Sequence, residues 1–125
     1  MQLCLLPLQK YFDKAVADCS PMDLRVTAKS RNEMNKNFIN NYGLIYGVND
    51  PQWFDLRSPI LHCERFLDDF PLLIIQGTED NRVCLEHGRS MVSKLKKLKK
   101  NITYFEIENG GHTLFRSPHF LEKLC

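Results

Sequence analysis

The pattern of apolar and polar positions is clearest in the second half of the chain. Residues 71–76, Pro71-Leu72-Leu73-Ile74-Ile75-Gln76, are apolar in sequence rather than alternating. A strand buried on both faces of a parallel sheet has that pattern. Residues 85–100 carry Met91, Val92, Leu95 and Leu98 at three- and four-residue steps, which predicts an amphipathic helix. Residues 102–107 are rich in β-branched and aromatic side chains and predict a second strand. Residues 120–124 begin a terminal helix. Strand, helix, strand and helix in that order predict an α/β fold, a parallel sheet with helices on its faces.

The first half is less regular. Residues 3–11 read as a helix, although Pro7 sits awkwardly inside it. Lys14-Ala15-Val16-Ala17-Asp18 reads as a short buried strand, and Ser20-Pro21-Met22-Asp23 as a turn. Residues 31–41 are polar and read as helical. Residues 42–48 show no clear period. Asp50-Pro51 is a helix-start signal, cap then proline, for a short helix through Trp53 and Phe54 to about Arg57. Ser58-Pro59 closes that helix, and residues 60–66 connect it to the apolar strand.

Composition adds bounds. At 125 residues, 43% hydrophobic and 26% charged, the chain suits one soluble domain with one core. A net charge of +2 gives no electrostatic case for nucleic acid or an anionic membrane as partner. No apolar run approaches a membrane span, and the N-terminus lacks the basic start and cleavage site of a signal peptide. Five scattered cysteines without a C-x-x-C pair suit a reducing compartment, so a cytoplasmic protein is expected.

Two loops leave the C-terminal ends of the predicted strands, where open α/β sheets place their sites. The first is Gln76-Gly77-Thr78-Glu79-Asp80-Asn81-Arg82-Val83; the second is Glu108-Asn109-Gly110-Gly111-His112-Thr113. Asp80 and His112 therefore form a carboxylate–imidazole pair in the order an α/β-hydrolase uses for the last two members of its triad. The histidine takes a proton from a serine and returns it to the leaving group. The carboxylate holds the imidazole tautomer and stabilises the imidazolium. Gly110 and Gly111 are expected to let the backbone turn sharply before His112. The alternative reading of Asp80 is a cap for the following helix; that of His112 is a solvated loop residue.

Residues 72–83 resemble the stretch around the catalytic aspartate of the prolyl oligopeptidase family, with Gln76 where that family often has His. Gly110-Gly111-His112 resembles its Gly-His turn, Ser58-Pro59-Ile60-Leu61 its Ser-Pro element, and Phe12-Asp13-Lys14-Ala15-Val16-Ala17 the strand after its nucleophile helix. The resemblance implies the C-terminal half of an α/β-hydrolase fold over residues 1–125. It makes Asp80, not Glu79, the catalytic acid and His112 the base, in a serine peptidase acting on peptides. It also implies that the nucleophile lies elsewhere, because no Gly-x-Ser-x-Gly occurs in the chain. The chain alone is then expected to be inactive and to need the N-terminal half of the catalytic domain as partner. An esterase or dienelactone-hydrolase-like enzyme is the nearest alternative; a non-catalytic remnant that only binds or assembles is the rival from another class.

Other candidates have plainer readings. Lys94, Lys96, Lys97, Lys99 and Lys100 read as a solvated helix face. Cys84 with His87, and His62 with Cys63, each offer two zinc ligands where three or four are needed. No metal and no cofactor are expected. Ser20 is a turn residue without elbow glycines. Tyr42, Tyr46, Trp53 and Phe54 read as packing for an excursion between strands, which in the family walls the substrate pocket.

Overall fold

The computed structural model describes residues 6–31, 33, 36, 52–112 and 114, without the side chains of residues 6–8 and 53. Three parallel strands form one sheet in the order β1, β2, β3: Ala15–Asp18, Leu72–Gly77 and Ile102–Ile107. Helix α1 is Leu24–Ser30, α2 is Gln52–Leu56 and α3 is Leu85–Lys97. Two 3-10 segments, Leu6–Tyr11 and Pro59–Arg65, complete the described elements.

Register explains the core. Ala17, Ile74 and Tyr104 are aligned across the sheet, as are Ala15, Leu72 and Ile102. Successive side chains on a strand point to opposite faces, so these two rows share one face. That face packs on Met91, Val92 and Leu95 of α3 and on Met22, Cys63 and Phe66. Ile74, Met91 and Leu95 are almost fully buried, each worth roughly 1.5–3 kcal/mol against exposure. The other face carries Leu73, Ile75 and Ile107, packed with Cys19 and Leu114. Toward its two outer strands that face leaves Val16 and Phe105 half exposed.

The α/β prediction is correct, and the central strand, α3 and β3 lie where the pattern puts them. Five elements differ in type, burial or extent. The helix over residues 3–11 is a 3-10 segment from Leu6, and residues 3–5 lie outside the described part. Strand β1 is half-buried, not buried, with Val16 in solvent. Helix α1 falls in a segment with no expected element; Asp23 caps it by accepting from the Arg25 N–H at 3.0 Å. Residues 60–66 are 3-10 rather than a plain connection. Helix α3 stops at Lys97, before the expected residue 100, because Lys99 takes a left-handed φ of 57°. The Lys100 N–H then donates to the Leu95 carbonyl at 3.0 Å, which closes the helix end. The terminal helix at 120–124, the cap at Asp50-Pro51 and nearly all of 31–48 lie outside the described residues.

Ser58 shows why the Ser-Pro element matters locally. Its hydroxyl is fully buried, donates to the Phe54 carbonyl at 2.7 Å and accepts from the Leu24 N–H at 2.9 Å. One side chain thus joins the end of α2 to the start of α1 and leaves no unmet polar atom of its own.

Candidate active site

Asp80 and His112 come together at the C-terminal edge of the sheet. His112 Nδ1 and Asp80 Oδ2 are 3.0 Å apart. The Asp80 side chain is fully buried, while that of His112 is one-third exposed.

The carboxylate is held from several sides. Its Oδ1 accepts from the backbone N–H groups of Arg82 at 2.8 Å and Val83 at 3.0 Å. Its Oδ2 accepts from Gln76 Nε2 at 3.2 Å as well as facing the imidazole. Burial favours the neutral acid, but the bonds from Val83, His112 and Arg82 outweigh it and hold the carboxyl below the usual carboxylate range. The helix-cap reading of Asp80 is set aside, since the residue at the N-cap of α3 is Cys84. Asp80 caps its own loop instead, and only with one oxygen.

Gln76 contributes more than the sequence suggested. It is fully buried, and its amide also donates to the Val83 carbonyl at 2.7 Å. It therefore ties the acid to the far end of its own loop. The signal available was a polar residue ending an otherwise apolar buried strand, which requires partners inside the protein.

The two loops are stitched together by backbone. Thr78 N–H donates to the Ile107 carbonyl at 3.0 Å, and Glu79 N–H to the Gly110 carbonyl at 2.9 Å. The Asn109 N–H donates to Thr78 Oγ1 at 2.9 Å. This approach requires Gly77, because a Cβ there would sit 2.2 Å from the Gly110 carbonyl oxygen. The expected role of the glycine pair needs correction. Asn109 takes the left-handed φ, 56°, which Asn tolerates. Gly110 is needed for space, since a Cβ would meet Leu114 Cδ2 at 2.7 Å, and Gly111 faces nothing within 4 Å.

Cys19 is a further neighbour that sequence reasoning missed. It follows β1 with a positive φ of 44°, is buried, and its Sγ donates to the Gly111 carbonyl at 3.6 Å. Burial pushes its thiol up to about 12, so it is not a nucleophile at neutral pH. Beside it Asp18 is raised above the usual carboxylate range, first by burial. Nothing in the motif pattern connected residue 19 with the two loops; the parallel register did.

The remaining candidates are placed elsewhere. Ser20 Oγ donates to the Asp18 carbonyl at 3.1 Å, as a turn residue does. His87 is buried and its Nδ1 accepts from the Met22 and Asp23 N–H groups, both at 3.3 Å, while Cys84 is exposed. Cys63 is in the core beside Met91 Sδ, and His62 turns to the Asp55 carbonyl at 2.9 Å. Neither pair forms a shared site. The lysine run is not only solvated: Lys94 Nζ donates to the Ile60 carbonyl at 2.9 Å and Lys100 Nζ to that of Phe66 at 2.6 Å. Tyr42 and Tyr46 lie outside the described residues, as does the Trp53 side chain. Among the described residues no helix is long and apolar enough to cross a membrane.

A parallel sheet with an acid and a histidine on successive strand ends defines the chain as part of an α/β-hydrolase. More narrowly, it belongs to the prolyl oligopeptidase family, whose model matches residues 1–123. Among solved structures it is similar to a puromycin-hydrolysing peptidase of Mycobacterium tuberculosis, with a TM-score of 0.66 at 20% identity. That match covers 82% of this chain and 15% of the peptidase. A truncated carbohydrate esterase from gut microbiota gives 0.58 at 22% identity, over 89% of this chain and 40% of the esterase. An acylaminoacyl peptidase bound to a chloromethyl ketone gives 0.50 at 22%, over 58% of this chain and 12% of that one. The chain thus spans well under half the length of each of these relatives. No curated protein matches it.

Proposed function

We propose that this chain supplies the acid and the base of a serine peptidase of the acylaminoacyl or prolyl oligopeptidase type. The supporting observation is the 3.0 Å pairing of a fully buried, multiply hydrogen-bonded Asp80 carboxylate with His112 Nδ1. With Nδ1 given to the carboxylate, Nε2 on the other side of the ring is the nitrogen that takes the proton from a serine and returns it to the leaving amine. The serine comes from a Gly-x-Ser-x-Gly segment outside these 125 residues, and the N-terminal half of the catalytic domain is the chain's partner. The family match supports peptides as substrates over other acyl compounds.

The test is to assay the isolated chain and the chain combined with a segment that carries such an elbow. The isolated chain is expected to leave a fluorophosphonate probe unreacted and peptides uncleaved. The combination is expected to cleave acylated peptides and to lose that activity with His112→Ala. Saturable hydrolysis by the isolated chain would refute the reading. Turnover of esters but not of peptides would move the function to the esterase alternative. No turnover with a correctly folded combination would leave a non-catalytic binding domain.

A further inference from the structure

Three potential metal ligands from three different loops converge beside the sheet edge. The donor atoms of Cys19, Asp80 and His112 all lie within 4.8 Å of one another. Asp18 adjoins them, and its Oδ1 is buried with no hydrogen-bond partner among the described residues. The cluster holds one carboxylate, one thiol and one imidazole, and the Asp18 carboxylate belongs to the residue next to the thiol. Zinc takes thiolate, imidazole and carboxylate together in tetrahedral sites, with bond lengths that separate neighbouring ligand atoms by about 3.5 Å. Calcium and magnesium prefer oxygen alone. The present spacing reaches that geometry with side-chain shifts on the order of 1 Å.

We propose that Cys19, Asp80 and His112, with Asp18 as the fourth ligand, form a zinc site that competes with the acid–base pair. No metal is expected from the sequence, where Cys84 with His87 and His62 with Cys63 each offer only two ligands. Zinc enters between Asp80 Oδ2 and His112 Nδ1, now 3.0 Å apart. The proton on Nδ1 moves to Nε2, the Cys19 thiol proton leaves to solvent, and the Zn–S bond forms. With Nε2 protonated the imidazole cannot accept a proton from a nucleophile. That inhibitory consequence rests on the function proposed above; the binding itself does not.

The 125-residue chain is titrated with zinc chloride by calorimetry, and with cobalt(II) while following the thiolate-to-cobalt charge-transfer absorption. One metal per chain and a cobalt–thiolate band are expected. Cys19→Ser should abolish the band, and His112→Ala, at a partly exposed position, should weaken zinc binding by at least about tenfold. Asp18→Asn should keep the band while weakening binding by about tenfold, which separates ligand loss from misfolding. Cys84→Ser should change nothing. Absence of one-to-one binding, a band that survives Cys19→Ser, or unchanged affinity in His112→Ala would each overturn the site. Because no catalytic readout is used, failure here leaves the proposed function untouched. Failure of the activity test likewise leaves this one standing.

Discussion

The loop after β2 and the loop after β3 meet at one sheet edge but are held in different ways. The acid loop is closed on itself: Asp80 Oδ1 binds two backbone N–H groups within its own turn, and Gln76 spans the loop to Val83. The histidine loop has little of its own. Its backbone leans on Thr78 and Glu79, and the only described side-chain bond of His112 is to Asp80. One loop is preorganised and the other is templated on it. For the proton transfer proposed above this division is useful, because the carboxylate would have to stay ionised and fixed while the imidazole changed protonation state.

Removing the charge on which the histidine loop is templated should have the largest effect. In an active enzyme containing this chain, Asp80→Asn is expected to lower kcat by about 10⁴, as loss of a triad carboxylate does. Exposed Glu79, next to it in sequence, should tolerate Gln with little change. Steady-state kinetics of the two variants side by side decide which acid acts. Equal losses would mean that the acid loop is read one residue out of register.

The steric contact between the loops comes next. Gly77→Ala places a methyl group against the Gly110 backbone, which cannot rotate away as a side-chain end can. A cost of about 3 kcal/mol is expected, at the upper end for overpacking. Urea denaturation measures it. A loss below about 1 kcal/mol would show that the loops separate readily and that the stitching is weak.

A smaller effect is expected inside the acid loop. Gln76→Leu keeps the volume but removes donors to a carboxylate and to the Val83 carbonyl, for about 1–3 kcal/mol. Acid titration probes the same loop. Since Asp80 titrates lower in the folded chain, its stabilisation is fully present above the ordinary carboxylate value of 3.8 and is lost as pH falls below it. Asp18, raised by burial, has the opposite sign: its ionised form opposes folding at neutral pH, and the penalty lifts as pH falls through its folded-state value. Asp18→Asn should therefore raise the neutral-pH melting temperature, whereas Asp80→Asn should lower it. Two shifts of the same sign would contradict this account.

How legible the site was follows from the same contrast. The apolar run at 72–75, the alternation of elements and the order of Asp80 and His112 are local features, and they placed both residues at one edge. The stitching was not legible, because it depends on the separation of two backbones, and Gly77 looks in sequence like any glycine after a strand. Cys19 was missed for a related reason: it reaches the pair only through the pairing of Asp18 with Ile75. Helix α1 is not legible because Ser20-Pro21-Met22-Asp23 has the chemistry of a turn, whereas the Asp23 side chain begins a helix.

The smallest expected effect tests the histidine loop where it is free. Gly111 lies between Gly110 and His112, so its sequence position suggests a strict requirement. Yet a Cβ there meets nothing within 4 Å, and the residue is exposed, with no left-handed φ. An alanine that fits the native backbone mainly removes freedom from the unfolded chain. Gly111→Ala is therefore expected to stabilise by about 0.5 kcal/mol, a fraction of the loss at Gly77 and opposite in sign. Denaturation midpoints of Gly77→Ala, Gly110→Ala and Gly111→Ala should fall in the order of their clashes, 2.2 Å, 2.7 Å and none. If Gly111→Ala destabilises by more than about 1 kcal/mol, its backbone is strained after all, and the histidine loop carries constraints of its own rather than borrowing them from the acid loop.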